Sequence, residues 1–355
     1  MSKKVVVLAG DGIGPEIMDA ALVVFRELIK IKNWSIDIEE LNFGGAAIDH
    51  EGSPFPEKTR QACETADAIL LGAIGGPKWD QATERPEQGL LALRKQLNLY
   101  ANVRPITISP VLTKFSPLRP EIASGADFVV VRELTGGIYF GEPRSLSEEE
   151  AIDTCSYQRS EIERILHFAF SLARTRRKKV TSVDKANVLA TSKLWRKIAE
   201  EVAQEYPDCQ LEHQFVDSAA MSLIKEPRRF DVIVTENLFG DVLSDEASMI
   251  PGSLGVMPSG SYSENGPSLY EPIHGSAPDI AGLGIANPVS MLRSLAMMLR
   301  ESFGEPEATG WIEEACNAVM EDGIFTKDLG GTASTQEFTD AVMEKIRRYA
   351  DEYTI

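Results

Sequence analysis

The sequence predicts an α/β fold built on mixed, largely parallel sheets. Short β-branched runs alternate with helical patterns along almost the whole chain, the arrangement that parallel sheets with crossover helices require. Several of the strand runs are continuously apolar, which means burial on both faces. The length of 355 residues, 43% of them hydrophobic, exceeds what one core usually holds, so two domains are expected.

Taken in order, "KVVVLA" (4 to 9) reads as a strand and is followed by a helix from about Glu16 to Lys32. "DAILLGA" (67 to 73) is a second apolar strand, "GLLALRKQL" (89 to 97) is helical, and "DFVVVREL" (127 to 134) is a strand again. Later come "SEIERILHFAFSLARTRRKK", "KVTSVDK", "SKLWRKIAEEVAQEY" and "FDVIVTENL", which repeat the alternation. The Pro-rich stretch 104–120 and the Gly/Pro/Ser-rich stretch 251–268 are the boundary candidates, and if both are crossovers one domain is discontinuous. The basic run "RTRRKK" (174 to 179) falls at a helix end, where cations complement the dipole.

Composition narrows the function. Thirty-six Lys and Arg against 54 Asp and Glu give a formal net charge of −18, which disfavours nucleic acid or an anionic membrane as partner. Four scattered cysteines with no CxxC spacing read as thiols of a reducing compartment, and argue against a zinc site. The N-terminus has only a short apolar run and no stretch approaches the roughly 18 apolar residues of a membrane span, so a cytoplasmic location is expected.

Gly10, Gly12 and Gly14 in "VVVLAGDGIGPE" give GxGxG, not the GxGxxG dinucleotide fingerprint, so a tight strand-to-helix turn is expected rather than a standard Rossmann domain. In "ENLFGDVLSDEASM" (236 to 249), Asp241 and Asp245 stand one helical turn apart. At about 100° per residue they share a side opposite Phe239, Val242, Leu243, Ala247 and Ile250, while Glu246 turns toward the apolar side. Adjacent like charges cost a helix roughly 0.2–0.5 kcal/mol. A bound cation would reverse that cost, and a solvated acidic face is the alternative.

Glu87, Leu90, Leu91 and Arg94 follow i, i+3, i+4, i+7, a stripe that mixes oil with a guanidinium; a core-facing stripe with a snorkelling Arg is the bland reading. Arg94, Arg104 in "NVRP" and Arg132 at a strand end could together clamp a dicarboxylate. Lys185 follows an apolar strand and becomes a base if it is desolvated or set beside a metal. Asp217 in "QFVDSAAM" is either a ligand at a strand end or the N-cap of the next helix. "EPIHGSAPDIAGLGIANP" (271 to 288) is a small-residue loop that lets backbone approach a ligand closely, as a generic loop would also do.

Together "GDGIGPE", "GAIGGPKWD", "GLLALRK", "ANVRP", "VRELTGGIYFGEPR", "DKANVL", "TENLFGDVLSDEASMIPGSLG", "HGSAPDIAG" and "DLGGTASTQEF" appear in an order that resembles the β-decarboxylating dehydrogenases of the isocitrate and isopropylmalate type. The resemblance implies a two-domain homodimer with active sites shared across subunits. Residues 1–99 and 252–355 would form the cofactor-side domain, and 100–251 the substrate, metal and dimerisation domain. It implies Mg²⁺ or Mn²⁺ held by Asp241 and Asp245 with Asp217 from the partner subunit, a donor set of hard oxygens. Arg94, Arg104 and Arg132 match the carboxylate clamp, Lys185, also contributed across the dimer, the base and Tyr139 the proton donor. The cofactor would border Gly76 to Glu87 and the run Gly275, Ser276, Ala277, Pro278, Asp279 and Ile280 on to Asn287, with His274 on the adenosine side and Ile13 nearby. An acid at Asp279 accepts from a ribose 2′-hydroxyl and repels a 2′-phosphate, so NAD is expected over NADP.

Leu90 and Leu91, with Val188 from the other subunit, make an apolar pocket that suits an isopropyl group better than a third carboxylate. The expected reaction is oxidative decarboxylation of the 2-hydroxy dicarboxylate 3-isopropylmalate to 4-methyl-2-oxopentanoate and CO₂, in leucine biosynthesis. Tartrate/D-malate and homoisocitrate dehydrogenases share the metal, Lys and Tyr and stay open as alternatives, as does a non-catalytic regulatory subunit.

Overall fold

The computed structural model describes residues 2–353. Contacts divide the chain into two compact units, Met1–Leu97 with Ser253–Ile355, and Asn98–Gly252. The first unit opens with β1 (Lys3–Gly10), α1 (Gly14–Lys32), β2 (Ile36–Glu40), α2 (Gly45–Glu51), α3 (Glu57–Glu64), β3 (Ala68–Ala73) and α4 (Pro86–Gln96). The second carries β4 (Ala101–Thr107), α5 (Pro120–Ala123), β5 (Asp127–Glu133), β6 (Gly141–Leu146), β7 (Ala151–Thr154), α6 (Arg159–Arg174), β8 (Lys179–Asp184), α7 (Ala190–Ala203), β9 (Gln210–Phe215), α8 (Val216–Lys225), β10 (Val232–Thr235) and α9 (Asn237–Ser248). The chain then completes the first unit with β11 (Pro258–Tyr262), β12 (Ser268–Pro272), α10 (Val289–Glu301), α11 (Pro306–Glu321) and α12 (Thr335–Tyr353).

Each unit holds five strands of one sheet, four running parallel and one antiparallel. In the first the order is β2-β1-β3-β12-β11, with only β11 antiparallel to its neighbour β12. In the second it is β4-β5-β10-β8-β9, with only β4 antiparallel to β5. Val5, Val6, Val7 and Leu8 of β1 are all buried, as are Phe128 to Val131 of β5 and Val232 to Val234 of β10. Unbroken apolar strands therefore do correspond to burial on both faces.

Three local readings are corrected. The helix expected from residue 89 starts at Pro86, because proline is at ease in a first turn and the Gln88 side chain accepts the Arg85 N–H at 2.6 Å. Asp217 is not an N-cap: Phe215 precedes the helix and Asp217 is its second residue. The basic run at the end of α6 does more than face a dipole. Arg176 lies 2.9 Å from the buried Asp231 and 2.8 Å from Asp127, and Arg174 is 2.7 Å from Asp208, so the cations tie α6 to the strands beside it.

The glycine-rich turn after β1 is structural. The carboxylate of Asp11 accepts the backbone N–H groups of Gly45, Ala46 and Gly75 at 2.8, 2.7 and 2.8 Å, tying two further loops to the turn. Burial pushes its carboxyl above the ordinary range, and the three donors oppose that shift. Gly12 has φ +59°, and a Cβ there would lie 2.0 Å from the Ser276 carbonyl oxygen, so only glycine lets the turn pack on that loop. Gly12→Ala is expected to lower stability by roughly 2 kcal/mol through backbone strain and displacement of the Ser276 segment; an unchanged unfolding midpoint in thermal denaturation would show that the contact relaxes freely.

Candidate active site

The helix α9 carries the two acids that the sequence singled out, and the structure supplies a partner for each. β4 and β5 run antiparallel, with Arg104 opposite Val130 and Arg132 opposite Asn102. Arg132 donates to Asp241 Oδ1 at 2.5 Å and twice to Asn237 Oδ1 at 2.9 and 3.0 Å. Arg104 donates to Asp245 Oδ1 at 2.8 Å, to Ser244 Oγ at 2.5 Å and to Asn102 Oδ1 at 3.0 Å. Both arginines are buried. Charge-assisted pairs of this kind outweigh the repulsion between the acids, so α9 is electrostatically satisfied as it stands.

Close approach of Arg132 to α9 requires Gly240, because a Cβ there would lie 2.6 Å from Arg132 Cγ. The Tyr139 hydroxyl donates to Asp241 Oδ2 at 2.8 Å, which brings the expected proton donor to the expected ligand. Burial, that hydrogen bond and the charge of Asp241 raise the phenol above its ordinary value, with Arg132 opposing. The turn leading to Tyr139 is held by buried Glu133, whose carboxylate accepts the N–H groups of Thr135 and Gly136 at 2.8 Å each.

The face assignments on α9 need correction. Leu238, Val242, Asp245 and Met249 are exposed, whereas Gly240, Leu243, Ser244 and Ala247 are buried. Val242 therefore belongs to the open stripe beside Asp245, because small polar Ser244 and Ser248 take the buried positions that a hydropathy reading gives to larger apolar residues. Glu246 is half-buried at the edge of that stripe, and burial raises its carboxyl.

Lys185 Nζ lies 2.6 Å from Asp217 Oδ1, a pair from the loop after β8 and the first turn of α8. The hydrogen bond from Lys185 holds the Asp217 carboxyl below the ordinary range. Among the described residues no three acids, histidines or cysteines converge to hold a metal, so Asp217 does not join Asp241 and Asp245 within the chain. What α9 presents is a two-carboxylate half-site of hard oxygens.

In the first unit, Arg94 on α4 is buried and donates to the equally buried Glu271 at 3.1 Å. Its Nε is buried without a partner, which fits an incoming carboxylate. Leu90 and Leu91 are only half-buried, so this stripe is open and does not fill a core. Val188, in the second unit, is likewise exposed.

The 275–287 loop is pinned by the Ile13 N–H to the Ser276 carbonyl at 2.8 Å. His274 Nδ1 is 2.9 Å from the Gly275 carbonyl, so that nitrogen carries the proton and Nε2 is a bare acceptor, buried and unpartnered. Asp279 is exposed, and Gly275 would accept a Cβ without contact within 4 Å, leaving room for a ligand. An orphan acceptor beside an open small-residue cradle fits the adenosine half of a dinucleotide. The Asn287 carboxamide is instead committed within the protein, donating to Asp328 at 3.0 Å and accepting from Val289 N–H at 3.0 Å. Glu87 faces Gly75: a Cβ on that glycine would lie 2.6 Å from its carboxylate.

Asn237, Ser244, Glu271 and Glu133 escaped sequence reasoning, as did buried Glu236. Polar residues directly before or between the two aspartates, in "TENLFGDVLSDE", were the available signal for three of them.

This constellation has close counterparts. The family model of isocitrate/isopropylmalate dehydrogenase matches residues 4–342. A "3-isopropylmalate dehydrogenase" of Streptococcus thermophilus is 62% identical over 98% of this chain and 100% of that protein. One of Lactococcus lactis subsp. lactis is 63% identical over 97% of this chain and 99% of that protein. Among solved structures, isocitrate dehydrogenase from Methylococcus capsulatus superimposes with a TM-score of 0.87 at 38% identity, covering 97% of this chain and 99% of that one. A β-decarboxylating dehydrogenase from Thermococcus kodakarensis gives 0.79 at 36% identity, covering 98% and 96%. The chain belongs to the isocitrate/isopropylmalate dehydrogenase family.

Glu236, directly before α9, links that helix to the loop that carries Lys185. Its carboxylate accepts the Ser192 hydroxyl, and Ser192 Oγ accepts the Lys185 N–H at 3.0 Å. Burial foremost, with the charge of Asp184 behind it, pushes the Glu236 carboxyl from 4.5 to about 7. A raised carboxyl holds its proton to higher pH when folded than when unfolded, so folding stability falls as pH climbs from near 4.5 to near 7. Glu236→Gln is expected to remove that fall, on the order of 3 kcal/mol. Denaturant unfolding at pH 5 and pH 8 checks this: wild type and variant showing the same pH difference would refute it.

Proposed function

We infer that the chain catalyses the NAD-dependent, divalent-metal-dependent oxidative decarboxylation of 3-isopropylmalate to 4-methyl-2-oxopentanoate and CO₂, the leucine-biosynthetic reaction. The observation that carries this is the joining of full-length likeness to 3-isopropylmalate dehydrogenases with a second unit in which Tyr139, Arg132 and Arg104 converge on the paired acids of α9.

The residues divide the work. Arg94, Arg104 and Arg132 hold the two carboxylates, and two planar donor edges already face the acids that would hold Mg²⁺ or Mn²⁺. Leu90 and Leu91, with the partner subunit's Val188, cover the isopropyl group; their incomplete burial leaves apolar surface to be covered. The partner subunit's Lys185, which travels with its neighbour Asp217, takes the proton of the 2-hydroxyl, and Tyr139 delivers its phenolic proton to the carbon that loses CO₂. When bound, the cation supplies Lewis acidity to the reacting oxygens and the nicotinamide accepts the hydride. His274 and Asp279 receive the adenosine half, and the Asp279 carboxylate selects NAD by accepting from a free ribose hydroxyl.

The active unit is a homodimer in the cytoplasm. On α8, Asp217, Met221 and Ile224 share one exposed stripe, and on the neighbouring α9 Leu238, Val242, Asp245 and Met249 share another. Met221 is 66% and Val242 61% exposed, a cost that burial in a two-fold interface removes. Each stripe contains one acid, so pairing the stripes across a two-fold axis brings the Asp217 of one copy to Asp241 and Asp245 of the other. No helix among the described residues is long and apolar enough to cross a membrane, and all four cysteines are free thiols.

NADH formation by the purified protein with 3-isopropylmalate, NAD and Mg²⁺ is expected, with loss on EDTA treatment. Preferred turnover of isocitrate or D-malate would overturn the apolar pocket. Asp245→Asn should reduce activity by at least about a hundredfold with the fold intact, as loss of a metal ligand does, and near-wild-type kinetics would refute the metal assignment. Val242→Asp should shift the sedimentation coefficient to that of a monomer and abolish turnover; an active dimer would place the interface elsewhere.

A further inference from the structure

We propose that Glu16, clasped with Thr335, is the residue that positions the 275–287 loop for the adenosine half of the cofactor. The proposal rests on the reading of that loop as the cofactor loop, and assigns to Glu16 a role that the glycine-rich turn alone does not explain.

The loop has little to define its own shape. Gly275, Gly282 and Gly284 would each accept a Cβ without contact within 4 Å, and Leu283 and Asp279 face solvent. Two short turns, Ile280 N–H to Ala277 O at 3.1 Å and Leu283 N–H to Ile280 O at 3.2 Å, are its internal bonds. A segment this poor in packing keeps one conformation only if it is tethered from outside.

Glu16, in the first turn of α1, provides the tether at the far end. Its Oε1 accepts the Ala286 N–H at 2.8 Å and its Oε2 accepts the Gly284 N–H at 3.3 Å. Thr335, opening α12, completes the clasp. Its N–H donates to the Gly284 carbonyl at 2.9 Å, and its hydroxyl reaches both the Glu16 carboxylate and, at 2.6 Å, the Ala286 carbonyl. At the near end, Ile13 N–H holds Ser276. The loop is therefore held at both ends by Ile13 and Glu16 at the start of α1, with Asn287 adding a tie to Asp328 and Asp279 and Ile280 suspended between.

An acid in a first turn also complements the helix dipole. That role needs no partner on another segment, whereas both Glu16 oxygens face loop amides. Glu16 therefore acts through the loop and is a positioning residue.

The test compares Glu16→Gln and Thr335→Val with the conservative Thr335→Ser in the full-length protein. NADH affinity is read by fluorescence titration, amide exchange of Gly284 and Ala286 in the ligand-free protein, and steady-state kinetics alongside. Glu16→Gln and Thr335→Val should each weaken NADH binding and raise the KM for NAD by about tenfold through loop misplacement. Thr335→Ser should match wild type. Exchange at Gly284 and Ala286 should accelerate, while kcat and the KM for 3-isopropylmalate change by less than about twofold.

Asp279→Ala separates the two ways of failing. If it weakens NADH binding while Glu16→Gln and Thr335→Val do not, the clasp is refuted and the cofactor loop stands. If Asp279→Ala leaves NADH affinity intact, the loop assignment falls and the proposal falls with it. Should Glu16→Gln fail to fold, Thr335→Val carries the same comparison.

Discussion

The second unit is organised around a charge balance on one helix. Two aspartates a turn apart are tolerable on α9 because two guanidiniums, projected from adjacent antiparallel strands, meet them one to one. Everything near the site follows from that pairing. Gly240 is needed so that Arg132 can lie against the helix, Asn237 and Asn102 accept further guanidinium N–H groups, and Tyr139 is drawn to the free oxygen of Asp241. A buried arginine without these acceptors would be far costlier than the aspartate repulsion it relieves.

The same balance changes what a metal would do. On the proposed reading, a cation held by Asp241 and Asp245 would compete with Arg132 and Arg104 for their oxygens. A dicarboxylate arriving with the cation offers the displaced guanidiniums new acceptors. Metal and substrate would then be coupled by charge, each making the other's binding less expensive.

Much of the fold was legible because hydrophobic runs are a collective signal. Val5 to Leu8 and Val232 to Val234 read as doubly buried strands from their continuity alone, and the structure buries them all. Asp241 and Asp245 were legible for a similar reason, since their spacing is a property of any helix. Val242 was not, because which stripe of α9 faces inward depends on Ser244 and Ser248 being buried, and hydropathy places serine outside. Glu271 and Glu16 were also invisible: one meets Arg94 from 177 positions away and the other meets Thr335 from 319, separations that no local pattern encodes. The failed dinucleotide fingerprint was informative in its own right. The turn that carries it spends Asp11 and Gly12 on holding neighbouring loops.

Leu90, Leu91 and Val188 stand apart from all of this. Gly89 and Leu93, beside the two leucines on α4, are buried, yet Leu90 and Leu91 are only half-buried and Val188 is exposed. Such positions can be exchanged with little penalty to folding, whereas the buried arginines cannot. A lineage of this scaffold could therefore drift from one alkyl or polar group to another while its chemistry stayed fixed. With these side chains lining the pocket as proposed, acceptance of new metabolites and thermal robustness would be separately heritable traits.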